Sequence, residues 1–137
     1  MVVKLSRPVL RRAIEVRGPR AADEVWESYV RPARWPEWSP QIRSVDYPVP
    51  MLQPGTGGTV HGPFGVPVRF RVVQVRAPYA WSWVVFAGGV RMKLWHTVQA
   101  TPDGTRTLLA LEGFAPAVLL YLPFARLALR KLVGAGG

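Results

Sequence analysis

The chain has 137 residues, of which 49% are hydrophobic, six are Trp and none is Cys. This length and composition predict one folded domain with its own core, and they exclude disulfide bonds and thiolate chemistry. The net charge is +10, but the basic residues are mostly Arg and are spread along the whole chain. Because nucleic-acid-binding proteins usually show a concentrated basic stripe with interleaved aromatic residues, we expect no nucleic-acid partner.

The two ends of the chain give little sign of targeting. The first residues, MVVKLSRPVLRR, lack the apolar stretch of a signal peptide. The longest apolar run, near the carboxyl end, is interrupted by Arg126 and Arg130 and is too short for a membrane span. We therefore expect a cytoplasmic protein in which residues 1–137 form one domain, with flexible tails at 1–8 and 134–137.

Hydrophobic periodicity predicts a strand, a helical region and then a series of strands. Alternating apolar residues indicate a first strand at 10–17, and a helix with one apolar side follows at 21–30. Prolines break the next ten residues into a short helix or turn that carries Trp35 and Trp38. Six further strands are separated by Pro- and Gly-rich turns, and they are predicted at 41–49, 56–62, 66–75, 79–87, 90–98 and 105–113.

The last element is predicted to be a long helix at 114–133. Pro116 suits its first turn, whereas Pro123 lies inside it and predicts a kink. One face at helical spacing should pack on the sheet, and it consists of Val118, Tyr121, Leu122, Ala125, Leu129 and Leu132. Four further apolar residues lie off that face: Leu119, Leu120, Phe124 and Leu127. They indicate that the helix is enclosed by the rest of the chain, or that it contacts a second copy, a partner or a membrane.

Four stretches in this order resemble a known superfamily. They are AADEVWESYVRPARWPEWSP at 21–40, PGTGG at 54–58, APYAWSW at 77–83 and HTVQATPDGTRTLLALEG at 96–113. Their sequence and spacing are similar to the START/Bet v 1-like (SRPBCC) helix-grip superfamily, in its polyketide cyclase/dehydrase and lipid-transport branch. The resemblance implies an α+β fold in which a curved, seven-stranded antiparallel sheet surrounds a long carboxy-terminal helix. It also implies two short helices between strands 1 and 2, and a cavity between sheet and helix.

Two histidines are the candidates for polar chemistry. Strand parity places His96 on the inner face of its strand, where it would act as a proton shuttle or orient a ligand. The alternative is a core histidine that bonds a backbone carbonyl or Thr107. His61 is expected to be exposed or at the cavity rim. Since a third ligand is lacking, we expect no metal site from this pair.

The inner faces of the predicted strands and helix define a candidate ligand site. The aromatic residues of one strand would supply a stacking wall, with aliphatic residues around it and His96 and Tyr121 as orienting polar groups. The predicted site comprises Tyr79, Trp81, Trp83, Phe70, Met92, Leu94, His96, Thr107, Leu109, Leu111, Val118, Tyr121, Leu122 and Ala125. The alternative is that the aromatic side chains simply fill the core.

Three hypotheses for function follow. The first is binding of a hydrophobic or aromatic small molecule, such as a lipid, a quinone or a polyketide-like compound. The second is a polyketide aromatase/cyclase or dehydratase in the same cavity, with His96 moving a proton and an acidic carrier protein docking on the basic surface. The third is an interaction module on an anionic membrane surface, based on the outer face of the last helix and the net charge. No cofactor motif is present, so no cofactor is expected, and the protein is expected to be a monomer or a homodimer.

Overall fold

The computed structural model describes residues 9–135, and these form seven strands and three α-helices. The strands are β1 Val9–Gly18, β2 Ser44–Asp46, β3 Gly57–His61, β4 Pro67–Arg76, β5 Ala80–Ala87, β6 Val90–Thr101 and β7 Gly104–Phe114. The helices are α1 Ala22–Val30, α2 Trp35–Trp38 and α3 Ala115–Leu132. Short 3₁₀ turns lie at Pro32–Arg34 and Pro63–Gly65.

All seven strands pair in one antiparallel sheet in the order β1-β7-β6-β5-β4-β3-β2. Together with the long α3 and the short helices between β1 and β2, this confirms the predicted α+β helix-grip fold. The second strand is much shorter than the predicted 41–49. Pro40, Pro48 and Pro50 flank it, and proline lacks the N–H that a strand ladder requires.

Inner and outer faces follow the predicted alternation most closely in β6 and β7. The buried residues of β6 are Met92, Leu94, His96 and Val98, and those of β7 are Thr105, Thr107, Leu109 and Leu111. The register places His96 opposite Trp81 of β5 on one side and Leu109 of β7 on the other. The helices pack against this inner face, and the candidate site lies on it.

The predicted inward position of Tyr79 is wrong. Tyr79 precedes β5 in the turn from β4, and its side chain is 68% exposed. Its backbone N–H donates to Arg76 and its carbonyl accepts from Val98, which fixes the turn and leaves the ring outside. Strand alternation therefore does not extend to this position. A register shift between Val72 and Gln74 also breaks the alternation of β4, because beyond it Val75 rather than Gln74 packs against the core.

The α3 helix begins at Ala115 and continues through Pro123 to Leu132. Its packed side contains Val118, Ala125, Ala128, Leu129 and Leu132, all buried, with Tyr121 and Leu122 partly buried beside them. The hypothesis that the rest of the chain encloses the helix is wrong, because Leu119, Leu120, Phe124 and Leu127 are all exposed. Gly134 and Ala135 cap the helix through backbone bonds. The predicted tail at 1–8, and residues 136–137 of the other tail, lie outside the described residues.

The carboxyl end of α3 is fixed against the turn that follows β1. The Arg20 N–H donates to the Val133 carbonyl at 3.0 Å, and the Thr105 hydroxyl donates to the Arg20 carbonyl at 2.6 Å. Gly18 makes this approach feasible, because a Cβ there would overlap the carbonyl oxygen of Val133. The end of β1 and the end of α3 are thus in direct backbone contact.

We predict that Gly18→Ala destabilises the protein by about 2 kcal/mol or more, because the added methyl group must displace a backbone carbonyl. The measurement is the free energy of unfolding from urea titration. Gly62→Ala is the matched control, since its Cβ would meet its nearest neighbour at 3.5 Å, an ordinary contact. Equal unfolding free energies for the two variants would contradict the proposed close contact.

Candidate functional site

A cavity of about 380 Å³ lies between the amino-terminal half of α3 and the inner face of β3 to β6. This volume falls within the range of small-molecule sites, about 300–1,000 Å³. Its wall is apolar almost throughout. The residues that line it are Gln41, Ile42, Val60, Gly62, Pro63, Val68, Trp83, Val85, Ala87, Met92, Leu94, Ala117, Leu120, Tyr121 and Phe124.

One face of α3 forms the helical wall of this cavity. Its members, Ala117, Leu120, Tyr121 and Phe124, recur at positions i, i+3, i+4 and i+7. Leu120 is 73% exposed and Phe124 44% exposed, so both stand at the cavity mouth with one side toward solvent. The helix thus carries a packed face and, beside it, a cavity face. Of the four apolar residues that lie off the predicted packed face, Leu120 and Phe124 belong to this cavity face.

Gln41 and Tyr121 supply polar groups in the cavity wall. Burial raises the pKa of the Tyr121 hydroxyl to about 12, and the nearby Gln41 side chain partly offsets this effect. The Gln41 Oε1 atom is buried, and it has no hydrogen-bond partner among the described residues. Tyr121 therefore stays protonated at neutral pH and retains its hydroxyl as a donor.

The other half of the concave face is filled by an aromatic cluster of Tyr29, Trp35, Trp38, Phe70, Trp81, Trp83 and His96. Neighbouring rings lie 4.4–6.2 Å apart between centroids. The indole N–H groups of Trp35 and Trp38 donate to the carbonyls of Tyr29 and Ser28, at 2.8 and 3.2 Å. These bonds connect α2 to α1 and hold both tryptophan side chains in the core.

His96 is fully engaged inside this cluster. The Trp83 indole N–H donates to His96 Nε2 at 2.9 Å, and His96 Nδ1 lies 3.3 Å from the Tyr29 hydroxyl. An indole nitrogen can only donate, so Nε2 must be unprotonated and Nδ1 must carry the proton. The Trp81 ring stacks on the imidazole with 4.4 Å between centroids. Burial lowers the pKa of His96 to about 3, which agrees with a neutral ring.

Burial also raises the pKa of Tyr29, although the Thr107 hydroxyl acts in the opposite direction. Next to His96 remains a space of only about 20 Å³, enough for one water molecule. Ile42, Trp83 and Tyr121 line both this space and the 380 Å³ cavity, so these three side chains lie between the two. His96 itself does not line the larger cavity.

The structure divides the predicted site residues among three environments. Those that line the larger cavity are Trp83, Met92, Leu94 and Tyr121. Those beside the small space are Trp81, His96, Leu109 and Ala125. Those that pack in the core away from both are Phe70, Thr107, Leu111, Val118 and Leu122. Tyr79 is at the surface, as described above.

The predicted site did not include several of the residues that line the larger cavity. Val60, Val68 and Val85 share parity with predicted inward residues and were within reach of the strand pattern. Gly62 and Pro63 lie in a turn, where no periodicity applies. The partners of His96 were also missed, because Tyr29 comes from α1 and no sequence pattern joins it to β6.

His61 lies far along the sheet from this cluster and pairs with Asp46 at 2.7 Å. The Asp46 side chain is 77% exposed, so this is a surface pair. Within residues 9–135, no three His, Asp or Glu side chains come together as a metal site would require.

The antiparallel sheet, the gripped α3 helix and the apolar cavity between them define a helix-grip protein with the architecture of a hydrophobic-ligand binder. A family model described as "Polyketide cyclase / dehydrase and lipid transport" matches residues 9–136. The chain belongs to that family.

Several solved structures have a similar fold. Protein MLL2253 from Mesorhizobium loti is 16% identical, with a TM-score of 0.79 over 91% of this chain and 95% of that one. The Bet v 1-like protein Ara h 8.0201 is 12% identical, with a TM-score of 0.76 over 93% of this chain and 97% of that one. The hypothetical protein jhp0584 from Helicobacter pylori is 14% identical, with a TM-score of 0.74 over 94% and 88%.

No functionally curated protein matches the sequence. None of the helices in the described part of the chain has the length and hydrophobicity to cross a membrane.

The neutral His96 should make stability depend on pH. Its pKa is about 3 in the folded protein against 6.5 for the free side chain, so the unfolded chain binds the extra proton between these values. We predict that the free energy of unfolding falls as the pH drops below about 6.5, by at most about 1.4 kcal/mol per pH unit.

Urea titrations of wild type and His96→Gln between pH 7 and pH 4 measure this effect. The variant has no group that titrates at position 96, so it should lose less stability over the interval than wild type. Carboxylates contribute equally to both proteins and cancel in the comparison. Parallel curves would show that His96 is not held neutral.

Proposed function

We propose that the protein binds a compact hydrophobic or aromatic molecule in the 380 Å³ cavity. The observation that carries this proposal is the cavity itself, which is apolar and is bordered by the exposed side chains of Leu120 and Phe124. Small-molecule sites are typically concave and lined mostly by apolar and aromatic side chains with a few polar groups. This cavity has that composition, with Gln41 and Tyr121 as the polar groups.

The size and chemistry of the wall narrow the ligand class. The volume is near the lower end of the range for ligand sites, which favours a ring compound or a short chain over a lipid with two long chains. Trp83 offers an aromatic face and Met92 a polarisable sulfur, both suited to flat rings. Among lipids, quinones and polyketide-like compounds, these features favour a quinone or an aromatic polyketide-like compound.

A second candidate is a cyclase or dehydratase that uses the same cavity, with an acidic carrier protein docking on the basic surface. That mechanism requires His96 to reach the bound molecule and move a proton. Both ring nitrogens of His96 face cluster residues, and Trp83 stands between the imidazole and the cavity. The geometry therefore supports binding more than proton transfer.

We predict that Ala117→Trp fills the cavity and weakens binding on the order of tenfold, because an indole group at this position competes for the space of the ligand. Native mass spectrometry should show a discrete added mass on wild type and little on the variant. Titration with the neutral fluorophore N-phenyl-1-naphthylamine measures the change in affinity directly.

Leu119→Trp is the matched control, since it adds a tryptophan to the same helix on its exposed side, away from the cavity. It should bind the fluorophore like wild type. If both variants lose affinity equally, or if neither does, the cavity is not the binding site. Urea unfolding of both variants verifies that they are folded.

The position of His96 predicts the outcome that separates the two candidate functions. His96→Gln keeps an acceptor for the Trp83 indole, so the affinity for N-phenyl-1-naphthylamine should change by less than about threefold. A loss greater than this, without loss of folding, would mean that the imidazole contacts the bound molecule and would favour the enzymatic alternative.

A further inference from the structure

We propose that the protein docks on an anionic lipid bilayer through the exposed side of α3 and the turn between β3 and β4. The docking face consists of Leu119, Leu120, Phe124 and Leu127 on the helix and Phe64 in the turn. All five side chains are apolar, and they range from 44% to 94% exposed. Docking does not depend on the ligand, so it stands or falls separately from the proposed function.

Phe64 is the least expected member of this face. It is 94% exposed and adopts a φ of 60°, a left-handed conformation that is unfavourable for a bulky residue. Glycine or asparagine would relieve that strain, and the ring forms no packing that would offset it. A strained, fully exposed aromatic residue at the edge of a cavity is better explained by contact with something outside the chain.

The charges on α3 favour an anionic partner. The helix contains Arg126, Arg130 and Lys131, all exposed, and it has no acidic residue. Within the described range, none of these three cations takes part in an ion pair. A second copy docked helix to helix would bring like charges together, whereas anionic headgroups would attract all of them.

The geometry favours a bilayer over the flat surface of an acidic protein. Apolar side chains beside Arg and Lys on one exposed side are typical of helices that lie in the membrane interface. Phe64 directly follows Pro63, which lines the same cavity as Leu120 and Phe124. Docking would therefore place the cavity mouth at the lipid surface and bury Phe64 among acyl chains.

The test is sedimentation of the protein with large unilamellar vesicles, made of phosphatidylcholine alone or of phosphatidylcholine with phosphatidylglycerol. We expect binding to the anionic vesicles, weaker binding to the neutral ones, and loss of binding at high salt. Leu119→Ser with Leu127→Ser should weaken binding by about tenfold or more, and these residues do not line the cavity. Arg126→Gln with Arg130→Gln should weaken it by a similar factor, about tenfold. Phe64→Ser should also weaken it.

Matched controls remove the same groups elsewhere. Arg69→Gln with Arg71→Gln removes two cations from the outer face of β4, and Tyr79→Ser removes an exposed aromatic ring at the opposite end of that strand. Both should bind within about twofold of wild type.

Three results would overturn the proposal. One is the absence of binding to anionic vesicles at low salt. Another is equal effects of the docking variants and their controls. The third is a homodimer in solution that Leu119→Ser with Leu127→Ser dissociates, because a second copy would then cover the face.

Discussion

The position of α3 over one side of the sheet determines where the core is packed and where a cavity remains. The helix packs along β1 and β7, and its carboxyl end is fixed by the backbone contact between Val133 and the turn that follows β1. The sheet has seven strands, so a helix that packs most closely on β1 and β7 does not pack tightly on the inner face of the strands farther along. The candidate ligand site depends on how the chain covers that remaining area.

The chain covers this part of the inner face in two different ways. Near α1 and α2, large rings fill the space. The indole N–H groups of Trp35, Trp38 and Trp83 each find an acceptor, whereas that of Trp81 is buried with no hydrogen-bond partner among the described residues. Toward the amino end of α3, the side chains of the sheet and the helix line a shared apolar space of about 380 Å³ without filling it. The same concave face is therefore a packed core at one end and a cavity at the other. His96 belongs to the packed end, where it contacts Trp83 and Tyr29 and does not line the larger cavity.

The fold was accessible from the sequence because its strands alternate cleanly and the order of its segments is distinctive. Met92, Leu94, His96 and Val98 were placed correctly by parity alone. Parity failed where the regular pairing ended, at Tyr79 in a turn and beyond the register shift of β4, where Val75 packs against the core. These departures depend on turn geometry, which the hydrophobic pattern does not encode.

The site was harder to predict than the fold, for two physical reasons. A residue that lines a cavity and one that fills a core are both apolar and inward, so Trp83 and Trp81 look alike in sequence although only Trp83 borders the larger cavity. The contacts of His96 with Trp83 and Tyr29 join three separate elements, and they depend on tertiary packing rather than on any local period.

The helix α3 connects these observations. A face at i, i+3, i+4 and i+7 lines the cavity and adjoins the packed face, so apolar residues extend round far more of the helix than packing requires. Leu120 and Phe124 belong both to the cavity mouth and to the exposed surface. Burying such side chains in an acyl environment recovers the hydrophobic free energy that they lose by facing water. An apolar surface that is continuous from the outside of the helix into the cavity would let a hydrophobic molecule pass between lipid and protein with little exposure to solvent.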